Sequence, residues 1–370
     1  MEKVRKEYQG LFFLDLVMIN MKKIKIGDFN IGKEFPPFIV AEAGINHNGE
    51  VEKALEMIKV AKNSGADAIK FQTFKAEEFI SDESLLFTYK SQGKTVTESQ
   101  MTLFKRCELD RNNFLEIKKT CDRENILFLS TPQNRSDLDL LLEMEIPAIK
   151  IGSDDLTNIP LLKNYSITGL PLLISCGMSN LTEIKQALNA IGSLDGYPTV
   201  LMHTTSEYPT SPTDVNLLKF KTLSSNFPDI ILGYSDHTQG VLASSLAIAF
   251  GAKVFEKHFT LSHDLEGPDH WFSEDPIGLK NWIESIKNAY TILGSDEIKP
   301  TEKEEKMKIQ ARRSVVAIKD IQKEETFSKN NIGLRRPGNG LQPIMIEKIF
   351  GKKATRKIQK SNLLKMEDFE

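Results

Sequence analysis

The sequence predicts an α/β protein, a (β/α)₈ barrel followed by a small β-rich domain. Three observations carry that expectation. Eight short β-rich runs lie along the middle of the chain, and stretches of helical periodicity separate most of them. Together they fill about the 250 residues that such a barrel needs. Strand alternating with helix builds parallel βαβ units. An open doubly wound sheet is the rival arrangement, but no GxGxxG follows the first run, so the barrel is preferred.

The runs are Phe38–Gly44, Ala68–Thr73, Leu127–Pro132, Ala148–Ser153, Pro171–Gly177, Thr199–Thr205, Ile230–Asp236 and Lys253–Thr260. Between them, Val51–Ser64, Asp137–Met144, Leu181–Ile191 and Gly240–Phe250 repeat apolar residues at helical spacing. The segment Lys75–Asp110, after the second run, is a longer polar insertion. Long βα insertions lie over the C-terminal face of a barrel, so it is a candidate lid. Residues 21–294 are thus assigned to the barrel. After Gly294 the chain turns charged, and residues 295–310 read as a solvated helix or linker. Residues 311–370, with Ser314–Ile318 and a turn-rich ArgArgProGlyAsnGly stretch, predict the small domain. At about 60 residues it is near the lower limit for independent stability, so docking onto the barrel or a partner subunit is expected. Residues 1–20 read as an appended or mis-started leader. Their apolar stretch Leu11–Ile19 is interrupted by Asp15 and is too short to span a bilayer.

Composition narrows the partners. The 370 residues are 40% hydrophobic, enough for a large core, and Lys+Arg 48 against Asp+Glu 51 leave a net charge of -3. With no long basic run, neither nucleic acid nor a membrane is an expected partner. A few placed lysines still suffice for one phosphate. The three cysteines, Cys107, Cys121 and Cys176, contain no CxxC and read as reduced thiols of a cytoplasmic protein.

Chemistry in a barrel gathers where strands end. The residues there are Glu42; Lys70 and Gln72; Ser130 and Thr131; Lys150 and Ser153; Ser175; His203, Thr205 and Ser206; Ser235, Asp236 and His237; Glu256, Lys257 and His258. Any one of them is as readily a satisfied buried polar group, but such a ring is costly to bury unless it binds something charged. Lys70, Thr131, Lys150, Ser153, Ser175 and Ser235 offer two ammonium groups and four hydroxyls, which suits a phosphate and a carboxylate. A Schiff base on Lys150 is the alternative. His237 and His258 close adjacent strands and are placed to share one divalent ion. Two imidazoles without thiolates make an open site, more like Mn²⁺ or Mg²⁺ than structural zinc. His47 is a weaker loop candidate.

At these residues the chain resembles the N-acetylneuraminate (sialic acid) synthase family, which includes legionaminic and pseudaminic acid synthases. The matching segments are AlaGluAlaGlyIleAsnHisAsnGly (41–49), LysPheGlnThr (70–73), SerThrPro (130–132), LysIleGlySer (150–153), SerCysGlyMet (175–178), TyrSerAspHisThr (234–238), GluLysHisPheThr (256–260), GlyProAspHis (267–270) and ArgProGlyAsnGly (336–340). They run collinearly across nearly everything after Met21. The resemblance implies a barrel joined to an antifreeze-like (SAF) domain, assembled as a domain-swapped homodimer. It implies Mn²⁺ on His237 and His258, with Mg²⁺ or Co²⁺ as substitutes. Phosphoenolpyruvate falls to Lys70, Gln72, Thr131, Lys150, Ser153, Ser175 and Ser235. The sugar falls to Ser206, Tyr208, Asp269 and Arg336, the last from the partner subunit.

The implied reaction condenses phosphoenolpyruvate with N-acetylmannosamine, by metal polarisation of the aldehyde, attack by C3, water addition at C2 and C–O cleavage. Glu42 and Glu256 are the implied carboxylates that stabilise the cation or activate the water. Three departures bear on the sugar: Ser206–Glu207 before Tyr208, Asp154–Asp155 after Ser153, and Trp271–Phe272 after His270. The SerGluTyrPro form looks more like legionaminic-acid synthases, whose sugar is 2,4-diacetamido-2,4,6-trideoxymannose. A Schiff-base aldolase and a catalytically silent carbohydrate-binding barrel are the other classes considered.

Overall fold

The computed structural model describes residues 23–370, so the leader expected over residues 1–20 lies outside the described residues. A two-stranded hairpin comes first, β1 (Ile24–Ile26) and β2 (Phe29–Ile31). Eight parallel strands follow: β3 (Phe38–Gly44), β4 (Ala68–Thr73), β7 (Leu127–Pro132), β8 (Ile149–Ile151), β9 (Leu172–Ser175), β10 (Thr199–His203), β11 (Ile231–Asp236) and β12 (Val254–His258). Each matches an expected run to within a few residues. Their order is β7-β4-β3-β12-β11-β10-β9-β8, and the two end strands lie side by side, so the ring is nearly closed. Helices follow most strands, among them Val51–Ser64, Arg135–Glu143, Leu181–Ala190 and Leu242–Ala249.

Side chains alternate across each strand, so every second residue faces the barrel interior. Phe38, Val40, Ala68, Leu129, Ala148, Leu173, Val200, Met202, Ile231 and Val254 fill its lower part, together with Ile24, Ile26 and Ile31 of the hairpin. The intervening residues, such as Ile39, Ile69, Phe128, Ile174, Leu201 and Phe255, pack outward under the helices. Both faces are buried, which is why these strands read as nearly continuous apolar runs.

The polar insertion after β4 is a structured element. It contains a second hairpin, β5 (Leu86–Ser91) and β6 (Lys94–Ser99), and a helix over Gln100–Cys107. Gln92 and Gly93 make its two-residue turn, with φ of 50° and 75°. Two positive φ values belong to the turn type that matches the twist of a hairpin. The hairpin is tied to the loop after β12: Gln92 donates to the Asp264 carbonyl, and Gly267 N–H donates to Ser91 Oγ.

The described chain divides between Gly294 and Ser295 into two compact units. The second begins with an exposed helix, Glu302–Ala311, capped by Thr301, where a solvated helix or linker is expected. It then pairs β13 (Ser314–Ala317) with β14 (Ile332–Arg335) around a core that includes Val315, Phe327, Ile349 and Ile358. No helix among the described residues is long and apolar enough to cross a membrane.

Candidate active site

The alternation that places Val40, Ala68, Leu129, Ala148, Leu173 and Val254 inside the barrel continues upward. It turns Glu42, Lys70, Thr131, Lys150, Ser175, Ser235, Glu256 and His258 to the same side. These residues, with Gln72, Ser153, Ser206, Tyr208 and His237, line one cavity of about 610 Å³. Lys70 Nζ lies 2.8 Å from Glu42 Oε1 and 3.7 Å from Glu256 Oε1, and it donates to Thr131 Oγ1 at 3.2 Å. Lys150 Nζ donates to Ser175 Oγ at 2.8 Å and stands 3.6 Å from Glu256 Oε1. The Ser235 hydroxyl donates to that same oxygen at 3.2 Å. Ser153 lies just past β8, where its Oγ accepts from the Gly177 N–H at 3.0 Å. A Cβ on Gly177 would meet the Ser206 and Ser153 hydroxyls at 2.4 and 2.9 Å, so a larger residue would have to turn both hydroxyls away.

Among the described residues, six buried side-chain polar atoms lack a hydrogen-bond partner. Three of them, Glu42 Oε2, Glu256 Oε2 and His258 Nδ1, belong to this cavity. Leaving a buried polar group unpaired costs about 1–3 kcal/mol. A wider cavity of about 720 Å³ opens behind Gly177, but none of the residues lining it carries an unpaired buried atom. The unpaired atoms, rather than the volume, mark the site.

The two carboxyls are pushed apart electrostatically. Burial raises Glu42 to about 7, against the pull of Lys70 and with added repulsion from Glu256. Burial also works against the Glu256 carboxylate, but Lys150, Lys70 and His237 outweigh it and hold its pKa below the ordinary value. Lys70, although buried, is kept charged by Glu256 and Glu42. Burial and the Lys70 charge lower the proton affinity of Lys150, with Glu256 opposing.

His237 and His258 face each other with ring centroids 5.6 Å apart. Nδ1 of His237 lies 2.8 Å from the Thr205 carbonyl, an arrangement that makes Nδ1 the protonated nitrogen and puts the lone pair on Nε2, 3.5 Å from the Ser235 hydroxyl. Burial holds His237 at about 4 and keeps His258 well below its ordinary value, so both rings are neutral and able to ligate. With metal–nitrogen bonds of about 2 Å, two rings at this separation fit a shared ion. The Tyr208 ring stacks on His237 at 4.1 Å and meets His258 edge-on at 5.6 Å.

A second cavity of about 570 Å³ adjoins the first and shares Gln72, Phe87, Phe104, Ser206, Tyr208 and His258 with it. Its lining is rich in aromatic rings: Phe87 and Phe104, which it shares with the first cavity, and Tyr89, Trp271 and Phe272, which it does not. Phe272 is buried against Tyr208 and His258, while Trp271 lines the cavity under the ammonium of Lys90 at 4.9 Å. Asp269 lies 3.6 Å from His258 Nδ1, and burial raises its carboxyl to about 7.

Four expected strand-end residues do not belong to the site. Ser130, His203, Asp236 and Lys257 have the opposite parity and point outward; His203 Nε2, for example, bonds the Val215 carbonyl at 2.7 Å. Thr205 contributes its carbonyl rather than its hydroxyl. His47 is buried beside Phe71 and absent from both cavities. Arg336 lies in the second unit, on the exposed turn after β14. Phe87, Tyr89 and Phe104 were missed by sequence reasoning. For Phe87 and Tyr89 the only signal was their spacing of two just before Gln92–Gly93, whereas Phe104 lies on the helix Gln100–Cys107 beyond the hairpin.

A parallel barrel with lysines, carboxyls and paired histidines gathered at its strand ends has the architecture of a barrel enzyme. The chain belongs to the NeuB family, whose pattern matches residues 57–298, and a SAF domain matches residues 312–370. Its relatives include proteins named N,N'-diacetyllegionaminic acid synthase, pseudaminic acid synthase and N-acetylneuraminate-9-phosphate synthase. The N,N'-diacetyllegionaminic acid synthase of Campylobacter jejuni is 39% identical over 88% of this chain and 98% of its own length. The enzyme of the same name from Legionella pneumophila is 38% identical over 92% of this chain and 96% of its own. Among solved structures, the sialic acid synthetase of Leptospira borgpetersenii superposes with a TM-score of 0.70. It is 33% identical and covers 78% of this chain and 95% of that one.

Proposed function

We propose that this chain condenses phosphoenolpyruvate with an N-acylated mannosamine-like sugar, giving a nonulosonic acid and phosphate. The observation that carries the reading is the trio of unpaired buried atoms in a cavity that also holds two lysine ammonium groups. An anion paired with a cation is the ligand such a site lacks. Lys70, Lys150, Thr131, Ser153, Ser175, Ser235 and Gln72 bind the phosphate and carboxylate of phosphoenolpyruvate. His237 Nε2 and His258 hold a divalent ion, Mn²⁺ in preference to Mg²⁺ or Co²⁺. Bound there, such an ion supplies Lewis-acid polarisation of the open-chain sugar's aldehyde oxygen.

C3 of phosphoenolpyruvate attacks the aldehyde carbon, and positive charge develops at C2. Glu256, held ionised by its lysines, faces that charge. Glu42, with an affinity near neutrality, takes the proton from the water that adds at C2. The resulting tetrahedral carbon loses phosphate by C–O cleavage into the Lys70–Lys150 cluster. Asp269, Ser206 and Tyr208 orient the sugar, and Arg336 reaches its acyl group from a second copy of the chain.

For the sugar, the aromatic wall favours 2,4-diacetamido-2,4,6-trideoxymannose over N-acetylmannosamine. A 6-methyl and a second acetamido methyl find apolar partners in Phe87, Phe104, Trp271 and Phe272, whereas the 6-hydroxyl of N-acetylmannosamine gains none. The similarity to legionaminic-acid synthases points the same way. Phosphate release from phosphoenolpyruvate with Mn²⁺ is the test, run with each sugar and with an EDTA control. EDTA-sensitive release faster with the diacetamido sugar is expected. A preference for N-acetylmannosamine reverses the sugar assignment, and release with neither overturns the reaction. Borohydride trapping of pyruvate on Lys150 would instead favour a Schiff-base aldolase.

A further inference from the structure

On the outer face of the barrel wall, directly behind the two histidines, lies a buried polar group that the proposed chemistry does not use. Asp236 and Lys257 are direct partners in the β11–β12 ladder, and His237 and His258 are the next residues along those strands. Asp236 is fully buried and Lys257 nearly so, with Oδ2 and Nζ 3.1 Å apart. The carboxylate has no unused oxygen. Oδ1 accepts from Thr238 N–H at 2.8 Å and from Thr238 Oγ1 at 2.7 Å, and Oδ2 accepts from Ser244 Oγ at 2.6 Å. Ser244 in turn accepts from Trp282 Nε1 at 2.9 Å, and Lys257 Nζ donates to the Thr238 carbonyl. On the other side, Glu274 N–H donates to the His258 carbonyl at 3.0 Å.

Other outward positions on these strands hold Leu232, Tyr234 and Phe255, so an apolar pair suits this layer. Replacing a buried ion pair by well-packed apolar residues is often neutral or stabilising, which makes the pair weak evidence for stability and leaves registry as its best-attested use. The network clamps residues 236–238 at both ends of the turn that carries His237 and ties that turn to the strand carrying His258. We propose that Asp236 and Lys257, with Thr238 and Ser244, are positioning residues that fix the separation of His237 and His258 for a shared divalent cation. This rests on the metal reading of the two histidines.

The test is Mn²⁺ binding to the full chain without substrates, read from the spin-resonance signal of free Mn²⁺. The unsubstituted chain binds, and His237→Ala abolishes binding. The double substitution Asp236→Asn with Lys257→Gln keeps hydrogen-bonding groups but removes both charges. We expect it to unfold cooperatively and bind Mn²⁺ about tenfold more weakly, the lower end of the loss found when a ligand's own hydrogen-bond partner is removed, because this pair acts through the backbone. A folded double variant that binds like the unsubstituted chain overturns the positioning role. Absence of His237-dependent binding in the unsubstituted chain overturns the metal reading itself. Should the double variant fail to fold, Thr238→Val decides by the same readout. It deletes one bond to Asp236 and leaves the pair in place; weaker binding supports the clamp and unchanged binding overturns it.

Discussion

The lower and upper halves of the barrel interior are built on the same strands with the same parity, yet their contents are opposite. Below, Val40, Ala68, Leu173, Val200 and Val254 meet one another and leave no polar atom to satisfy. Two residues further along, Glu42, Lys70, Ser175 and Glu256 occupy the continuation of four of those rows and line the cavity. Burial of apolar surface favours folding by about 25 cal/mol per Å², whereas burial of charge opposes it unless each group is paired. The upper layer is paired only in part, with one oxygen on each carboxylate left open. Stability is therefore lodged below and binding above, and substitutions should separate the two.

The largest effect is expected from Glu42→Gln. It removes the group assigned to water activation while Lys70 keeps Glu256 at 3.7 Å and the Thr131 hydroxyl. Turnover should fall by about 10²–10⁴-fold with the melting temperature little changed. A collapse of stability with normal turnover in the surviving folded fraction would break the division between the layers. Leu173→Ala is the converse. It hollows the lower layer and should destabilise by about 2–5 kcal/mol, measured by urea unfolding, without altering KM for phosphoenolpyruvate. Smaller again is Trp271→Leu. It trims the aromatic wall and should reduce discrimination between the two sugars by about tenfold, read as the ratio of their kcat/KM values.

Much of this contrast was legible in the sequence because parity is. Once Phe38–Gly44 is a parallel strand, Val40 below Glu42 follows from a period of two, and the same holds for Ala68 and Lys70 or Val254 and Glu256. Parity should also have excluded Ser130, His203, Asp236 and Lys257, which were grouped with the site by their position at strand ends alone. The pairing of Asp236 with Lys257 depends on the register between two strands about 20 residues apart, and no local pattern encodes it. The hairpin over the second cavity was hidden differently. Its residues are polar or exposed on most positions, and its turn is Gln-Gly rather than Asn-Gly, so the insertion read only as a lid.

The smallest expected effect concerns how the upper layer is roofed. His270, fully buried, bonds Thr260 Oγ1 at 2.7 Å and Asn48 Oδ1 at 3.2 Å, joining the loop after β12 to the loop after β3. Burial, with Lys53 and His263 adding repulsion, lowers its affinity for a proton to about 4. The unfolded chain binds that proton near pH 6.5, so between the two values the folded state carries fewer protons. The contribution of His270 is thus present above about pH 6.5 and is lost as pH falls towards 4. His47, also near 4 and close enough to feel His270, has the same sign. Hydrogen exchange at pH 5 should show residues 86–99 and 260–273 losing protection before the strands that bear Leu173 and Val200. His270→Asn should reduce the acid dependence of the melting temperature by roughly 2–4 °C. Equal loss of protection at the bottom of the barrel would mean that the two halves open together, and that the upper layer is no separate unit.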